Sequence, residues 1–108
     1  MTPWSVLFVN EAAKGEVDAL PIDMRVKFAR IVALIVEHGL ENVREPYVKH
    51  LEAKFWEMRL SGRDGIARAI YLTASGRRVI ILRSFVKKTE KTPHRELELA
   101  RARAQEVR

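Results

Sequence analysis

The chain has 108 residues, enough for one domain with one modest core. Its 47% apolar content excludes disorder, and the absence of cysteine excludes disulfides and thiolate metal sites, as befits a chain in a reducing cytoplasm. Twenty Lys and Arg against fourteen Asp and Glu leave a formal charge of +6, which points to a polyanionic partner.

Trp4 to Val9 is aromatic and β-branched and reads as a short strand. Asn10 is placed to cap a helix whose Ala13, Val17 and Leu20 share one face, and Pro21 ends that helix or begins the next. Met24, Phe28, Ile31, Val32 and Ile35 mark the face of a second helix. Ala33, Leu34 and Val36 widen that face until the second half is apolar nearly all round, so this helix is expected to be largely buried. Its longest apolar run, Ile31 to Val36, is far short of the roughly 20 residues that span a membrane. Met1 to Trp4 shows no signal-peptide pattern. Gly39 stops the helix, and Leu40 to Glu52, mixed in character and holding Pro46, reads as a loop with room for one short turn of helix.

Phe55 to Leu60 alternates between faces, Ser61 to Gly65 is turn chemistry, and Ile66 to Thr73 returns as the second arm of a hairpin. A turn at Ala74 to Arg77 leads to a third strand, Arg78 to Val86. Thr92 is placed to cap a last helix with Pro93 at its first position and Leu97, Ala100, Ala104 and Val107 along its apolar face. The order is β-α-α-β-β-β-α, an α+β domain over residues 1–108 with the helices on one side of an antiparallel sheet.

Burial fixes an expected hairpin register. Pairing Arg59 with Arg68 matches Trp56 with Tyr71, Met58 with Ala69 and Leu60 with Ala67, whereas a one-residue slip would drive Arg68 into the core. Glu57, Arg59, Arg68 and Ile70 then occupy the face away from the core. On the third strand Ile80, Leu82, Ser84 and Val86 take one face and Ile81, Arg83, Phe85 and Lys87 the other. Arg59, Arg68, Arg83, Phe85 and Lys87 thus share one surface. Clustered like charges are destabilising without an anion, and Phe85 among them offers a ring for a base to stack on. The connection after the strand carries Lys87, Lys88 and Lys91 opposed only by Glu90, so it faces water or a polyanion. No phosphate-cradling glycine motif is present, and His38, His50 and His94 have no ligand-like spacing, so neither metal nor cofactor is expected.

Three stretches together resemble the phage Gp49-like, HigB-type toxins of the RelE/ParE superfamily. They are Leu51-Glu52-Ala53-Lys54-Phe55-Trp56-Glu57-Met58-Arg59-Leu60, Arg68-Ala69-Ile70-Tyr71, and Phe85-Val86-Lys87-Lys88-Thr89-Glu90-Lys91-Thr92-Pro93 followed by Glu96 and Ala100. The likeness is strongest from Leu51 to about Ala104. It implies the RelE/ParE fold and the toxin half of a type II toxin–antitoxin pair. It further implies a ribosome-dependent mRNA endoribonuclease that uses no metal and attacks the scissile phosphate with the RNA's own 2′-hydroxyl. A cognate antitoxin, commonly of helix-turn-helix type, is implied as the partner. Arg68 falls where RelE-like toxins hold the scissile phosphate, and Lys87 or Lys88 near the basic residue that protonates the leaving group. The chain departs from RelE in carrying Glu57 and Arg59 where RelE has two lysines, and in lacking a stacking tyrosine in its last helix, for which Phe85 or His94 is the candidate substitute.

Guanidinium is planar, always charged and bidentate toward phosphate, so Arg59 and Arg68 suit stabilisation of the phosphorane. Lys87 or Lys88 suits leaving-group protonation if neighbouring cations lower its pKa. Glu57, Lys54 and His94 are candidates to accept the proton of the 2′-hydroxyl. Lys54, Arg83, Phe85 and Lys91 are candidates for holding RNA. Two rivals share this composition: a ParE-like binder of DNA gyrase that cleaves nothing, and a non-catalytic RNA-binding domain.

Overall fold

A short first strand, two helices, a hairpin-rich sheet and a closing helix follow one another along the chain. The computed structural model describes residues 3–88 and 91–108. Met1, Thr2, Thr89 and Glu90, and with them the sole acid expected between the connecting lysines, lie outside the described residues. The elements are β1 (Ser5–Phe8), α1 (Glu11–Asp18), α2 (Ile22–His38), β2 (Val48–Glu52), β3 (Phe55–Gly62), β4 (Gly65–Ala74), β5 (Arg78–Lys87) and α3 (His94–Ala104), with a single 3-10 turn at Leu40–Asn42. They form one five-stranded sheet in the order β1-β5-β4-β3-β2.

The expected register of β3 on β4 is present: Arg59 lies opposite Arg68, Trp56 opposite Tyr71, Met58 opposite Ala69 and Leu60 opposite Ala67. Asn10 caps α1 through its side-chain oxygen, which accepts from the Ala13 N–H at 2.8 Å. Gly39, at φ 88°, ends α2 where a residue with a Cβ would be strained. Gly62 at the hairpin turn is a case of close approach. A Cβ there would lie 2.8 Å from the Asp23 carboxylate, which accepts the Arg63 N–H at 2.6 Å and so ties the start of α2 to the turn.

The structure corrects the expected fold in four places. Val48–Glu52 is a strand, not a loop, pairing antiparallel with β3 at the sheet edge. Only Val48 in it is fully buried, which left too weak an alternation to see. β1 runs parallel to β5, so the sheet is mixed rather than antiparallel. The helices do not share one side. α1 and α2 cover Met58, Leu60, Ala67, Ala69, Tyr71, Val79 and Ile81, whereas α3 covers the opposite face, where Ile70, Leu72, Ile80, Leu82 and Phe85 form a second core with Ala100. Finally, α2 is buried along one face only: Ile22, Val26 and Val36 are 69%, 64% and 44% exposed. A helix lying on a sheet has one covered face, and no described residue covers the outer one.

A bulge sets the facing of β5. Ile70 pairs with Arg83 and Tyr71 with Ile81, so Leu82 is an extra residue. Ile81 therefore faces α2 rather than joining Arg83, Phe85 and Lys87, and Leu82 joins them under α3. β1 reaches only as far as Ile81 along β5, which leaves the next backbone groups without a strand partner. The Glu16 carboxylate accepts from the Ser84 N–H at 3.2 Å, and Arg103 donates to the Leu82 carbonyl at 2.9 Å. Glu16 also pairs with Arg103 at 2.8 Å and with Arg83 at 2.7 Å, and Arg83 pairs in turn with Glu96 at 3.1 Å. This network fixes α3 and α1 to the open edge of β5.

Burial pushes the Glu16 carboxyl up, but the hydrogen bonds from Arg103 and the Ser84 N–H, with the charge of Arg83, hold it below the ordinary value of 4.5. A carboxyl so depressed stabilises the fold fully above that ordinary value and loses this contribution as pH falls through the folded value. Amide protection of α3, corrected for intrinsic exchange, should be high at about pH 7 and fall selectively toward about pH 3. Equal protection of α3 at both pH values would contradict the assignment of Glu16 as its tether.

Candidate functional site

The register of the three central strands decides which cations meet. Arg59 lies opposite Arg68, Arg68 opposite Phe85, and Ile66 opposite Lys87, while Lys49 of the edge strand lies opposite Glu57. On the face toward α3 but beyond its cover, Lys49, Arg59, Arg68, Lys87 and Lys88 line a cavity of about 550 Å³ together with Gly65 and Ile66. Five of the seven lining residues are cationic and none is acidic, so the wall has one sign of charge.

One carboxylate lies beneath it. Glu57 is 1% exposed, forms a close ion pair with Arg68, itself 4% exposed, and accepts from the Thr92 hydroxyl at 2.9 Å. Buried charges persist when paired and hydrogen-bonded, and both carboxylate oxygens here have a donor. The Arg68 Nε–H has no hydrogen-bond partner among the described residues. That donor is itself shielded from solvent, so what Arg68 presents to the cavity is the rest of its guanidinium. Burial lowers the pKa of Arg68 from its usual value, with Arg59 adding to the shift and Glu57 opposing it. Burial likewise lowers Lys87, and the charges of Arg68, Arg59 and Lys49 add to this against Glu57.

The structure thus brings together Arg59, Arg68, Lys87 and Lys88, with Glu57 directly behind Arg68. It separates the other candidates from them. Arg83 shares the face but is tied to Glu16 and Glu96. Phe85 is 8% exposed in the core under α3, so the expected open stacking ring is absent: the helix that follows folds back over it. His94 starts α3, with its side chain 80% exposed and 3.3 Å from Glu98. Lys54 is in the β2–β3 turn, 5.8 Å above the Phe55 ring. Lys91 is exposed ahead of α3, and none of these three lines the cavity. Thr92 caps nothing, because α3 begins at His94 and the Thr92 hydroxyl is given to Glu57.

Lys49 was hidden in the stretch expected to be a loop. Its only sequence signal was the Val48–His50 spacing opposite Met58 and Trp56, which places Lys49 on the face of Arg59. The described residues hold no group of three or more His, Asp or Glu side chains placed to bind a metal ion. No described helix is long and apolar enough to cross a membrane.

Over residues 15–105 the chain matches the family described as Phage derived protein Gp49-like (DUF891). No curated protein matches it.

The buried pair can be tested by removing its halves. Glu57→Ala leaves the Arg68 charge buried without its carboxylate, and should cost about 3–5 kcal/mol in urea denaturation. Replacing both with apolar residues of similar size, Glu57→Leu with Arg68→Met, should recover most of that loss. A single variant as stable as the parent would show that the pair is solvated.

Proposed function

Starting from a chain that belongs to the Gp49-like family of phage-derived proteins, a RelE/HigB-type toxin-like group, we propose that it is the toxin of a type II toxin–antitoxin pair and cleaves mRNA on the ribosome. The observation that carries this reading is the cavity walled by five cations with the buried pair of Glu57 and Arg68 behind it. Such a wall matches a phosphodiester and has little use in a protein that only grips another protein's apolar surface. That favours RNA over a gyrase-binding role.

In the proposed reaction the RNA 2′-hydroxyl gives its proton to water, its oxygen attacks the adjacent phosphorus, the bond to the 5′-oxygen breaks, and a cyclic phosphate remains. Arg59, half-exposed on the wall, and Arg68, which lines the same cavity, stabilise the phosphorane charge. Lys87 protonates the departing 5′-oxygen, a role helped by its lowered pKa. Of the candidate proton acceptors, Glu57 is committed to Arg68 and Thr92, and Lys54 and His94 are outside the cavity. The side chains of the cavity therefore carry charge stabilisation and leaving-group protonation. Because Arg68 is buried, Arg68→Ala should destabilise the fold as well as the site, contrary to the expectation from an open face.

The same reading places the protein in the cytoplasm, beside ribosomes, with an antitoxin of helix-turn-helix type that offers acidic residues to its +6 surface.

Induction in cells followed by mapping of RNA 5′ ends should show ribosome-dependent cuts within coding frames. With purified ribosomes Arg59→Ala should lower the cleavage rate by about 10²–10³ with the fold intact. Lys87 acts in its protonated form, so the rate should fall as pH rises through its lowered value, below the ordinary 10.5. Lys87→Arg should move that fall upward. An SOS response without RNA cuts would replace this reading with gyrase poisoning, and RNA binding without cuts would reduce it to a non-catalytic domain.

A further inference from the structure

A second opening, of about 630 Å³, lies on the other side of β2. Its walls include Trp4 and Trp56, the only two tryptophans of the chain, with His50 at its rim and the buried Val48 and Tyr71 at its base. The Trp56 side chain meets His50 edge-on, at 5.0 Å between ring centres, yet Trp56 remains 39% exposed. Trp4 is held in place by its indole N–H, which donates to Glu41 at 3.2 Å.

Lys49 lines both this groove and the cationic cavity. That is possible because β2 is the edge of the sheet, so a side chain on it reaches around to either face. Trp56 and Glu57 are neighbours on β3 and point to opposite faces, with His50 and Lys49 beside them on β2. A strand that leaves its phosphate among Arg59, Arg68 and Lys87 therefore meets Lys49 at the edge and, beyond it, two indole rings. The charges along the groove balance, Glu41 and Glu45 against Arg44 and Lys49, so it has no net pull on a phosphate, whereas a base is neutral and flat. The groove thus suits the base and the edge lysine suits the backbone.

We infer that the groove between Trp4 and Trp56 is a base-binding subsite, which takes the base of a nucleotide flanking the phosphate held in the cationic cavity. This rests on the reading of that cavity as an RNA site. It supplies the stacking surface that Phe85, buried under α3, does not.

Both tryptophans report directly on the groove. The probe is a short single-stranded RNA with a 2′-deoxy sugar at the cut position, titrated at low salt into the whole chain while tryptophan emission is followed. The intact oligonucleotide should quench that emission. Removing the base at one flanking position should abolish the quench and weaken binding about tenfold, with no change to the protein. Trp56→Ala should reproduce that loss, and Trp56→Phe, which keeps a ring, should retain most of the affinity. Salt-sensitive binding that Arg59→Ala removes, but that leaves emission unchanged and tolerates both the missing base and Trp56→Ala, would overturn the subsite while the RNA reading stands. No binding by the parent protein at low salt would overturn both.

Discussion

The buried pair of Glu57 and Arg68 is the interaction on which the rest of the site depends. Its members come from adjacent strands, β3 and β4, and Thr92 brings the approach to α3 onto the same carboxylate. Three separate parts of the chain therefore meet on one buried charge. Removing such charges from water costs several kcal/mol for each, offset here because the pair is close and both carboxylate oxygens accept hydrogen bonds. The arrangement also lets Arg59 lie directly opposite Arg68. Like charges facing each other on neighbouring strands repel, and the carboxylate behind Arg68 is what makes this pairing tolerable.

A second constraint acts at the other end of the sheet. β1 is shorter than β5, so the backbone of Leu82 and Ser84 would face solvent at an open edge, a position prone to pairing with other chains. Glu16 and Arg103 occupy those groups and bond each other. The bulge at Leu82 turns that side chain under α3 and sends Arg83 to the carboxylates of α1 and α3. The cost to function is that Arg83 and Phe85 serve packing rather than a ligand. Cations on a single sheet face thus divide by what lies over them: beneath α3 they are neutralised, and beyond it they line the cavity.

The hairpin register was legible because only one alignment matched large apolar residues across three rungs and kept Arg68 out of the helix-covered core. The common facing of Arg59, Arg68 and Lys87 followed from it. What periodicity could not show was a second core. Ile70 and Phe85 were read as an outer surface because their strands alternate around charged residues, and covering by α3 is a tertiary event that no local pattern reports. The bulge was equally silent, since one inserted residue changes facing without altering composition. β2 was hidden for a different reason: an edge strand with one buried residue and a proline two positions ahead carries almost no alternation. Missing it removed Lys49 from view, and with it the link between the two sides of the sheet.

The division of the cations also separates two electrostatic roles. Arg68 is pinned by Glu57, so its guanidinium is held in a fixed frame; that is the property by which preorganised charges and dipoles stabilise a developing charge. Arg59, Lys87 and Lys49 are more exposed and repel one another, so that beside burial, the larger cause, the neighbouring cations lower the pKa of Lys87 while Glu57 opposes them. Their repulsion is relieved only by an anion or by counterions from solution. Under the proposed function a phosphate chain would displace those counterions, so affinity should depend steeply on salt, whereas orientation of the phosphate by the paired Arg68 should not. In that reading the exposed cations gather the strand and the buried one aligns it, because burial and pairing fix a side chain while exposure leaves it free to follow its ligand.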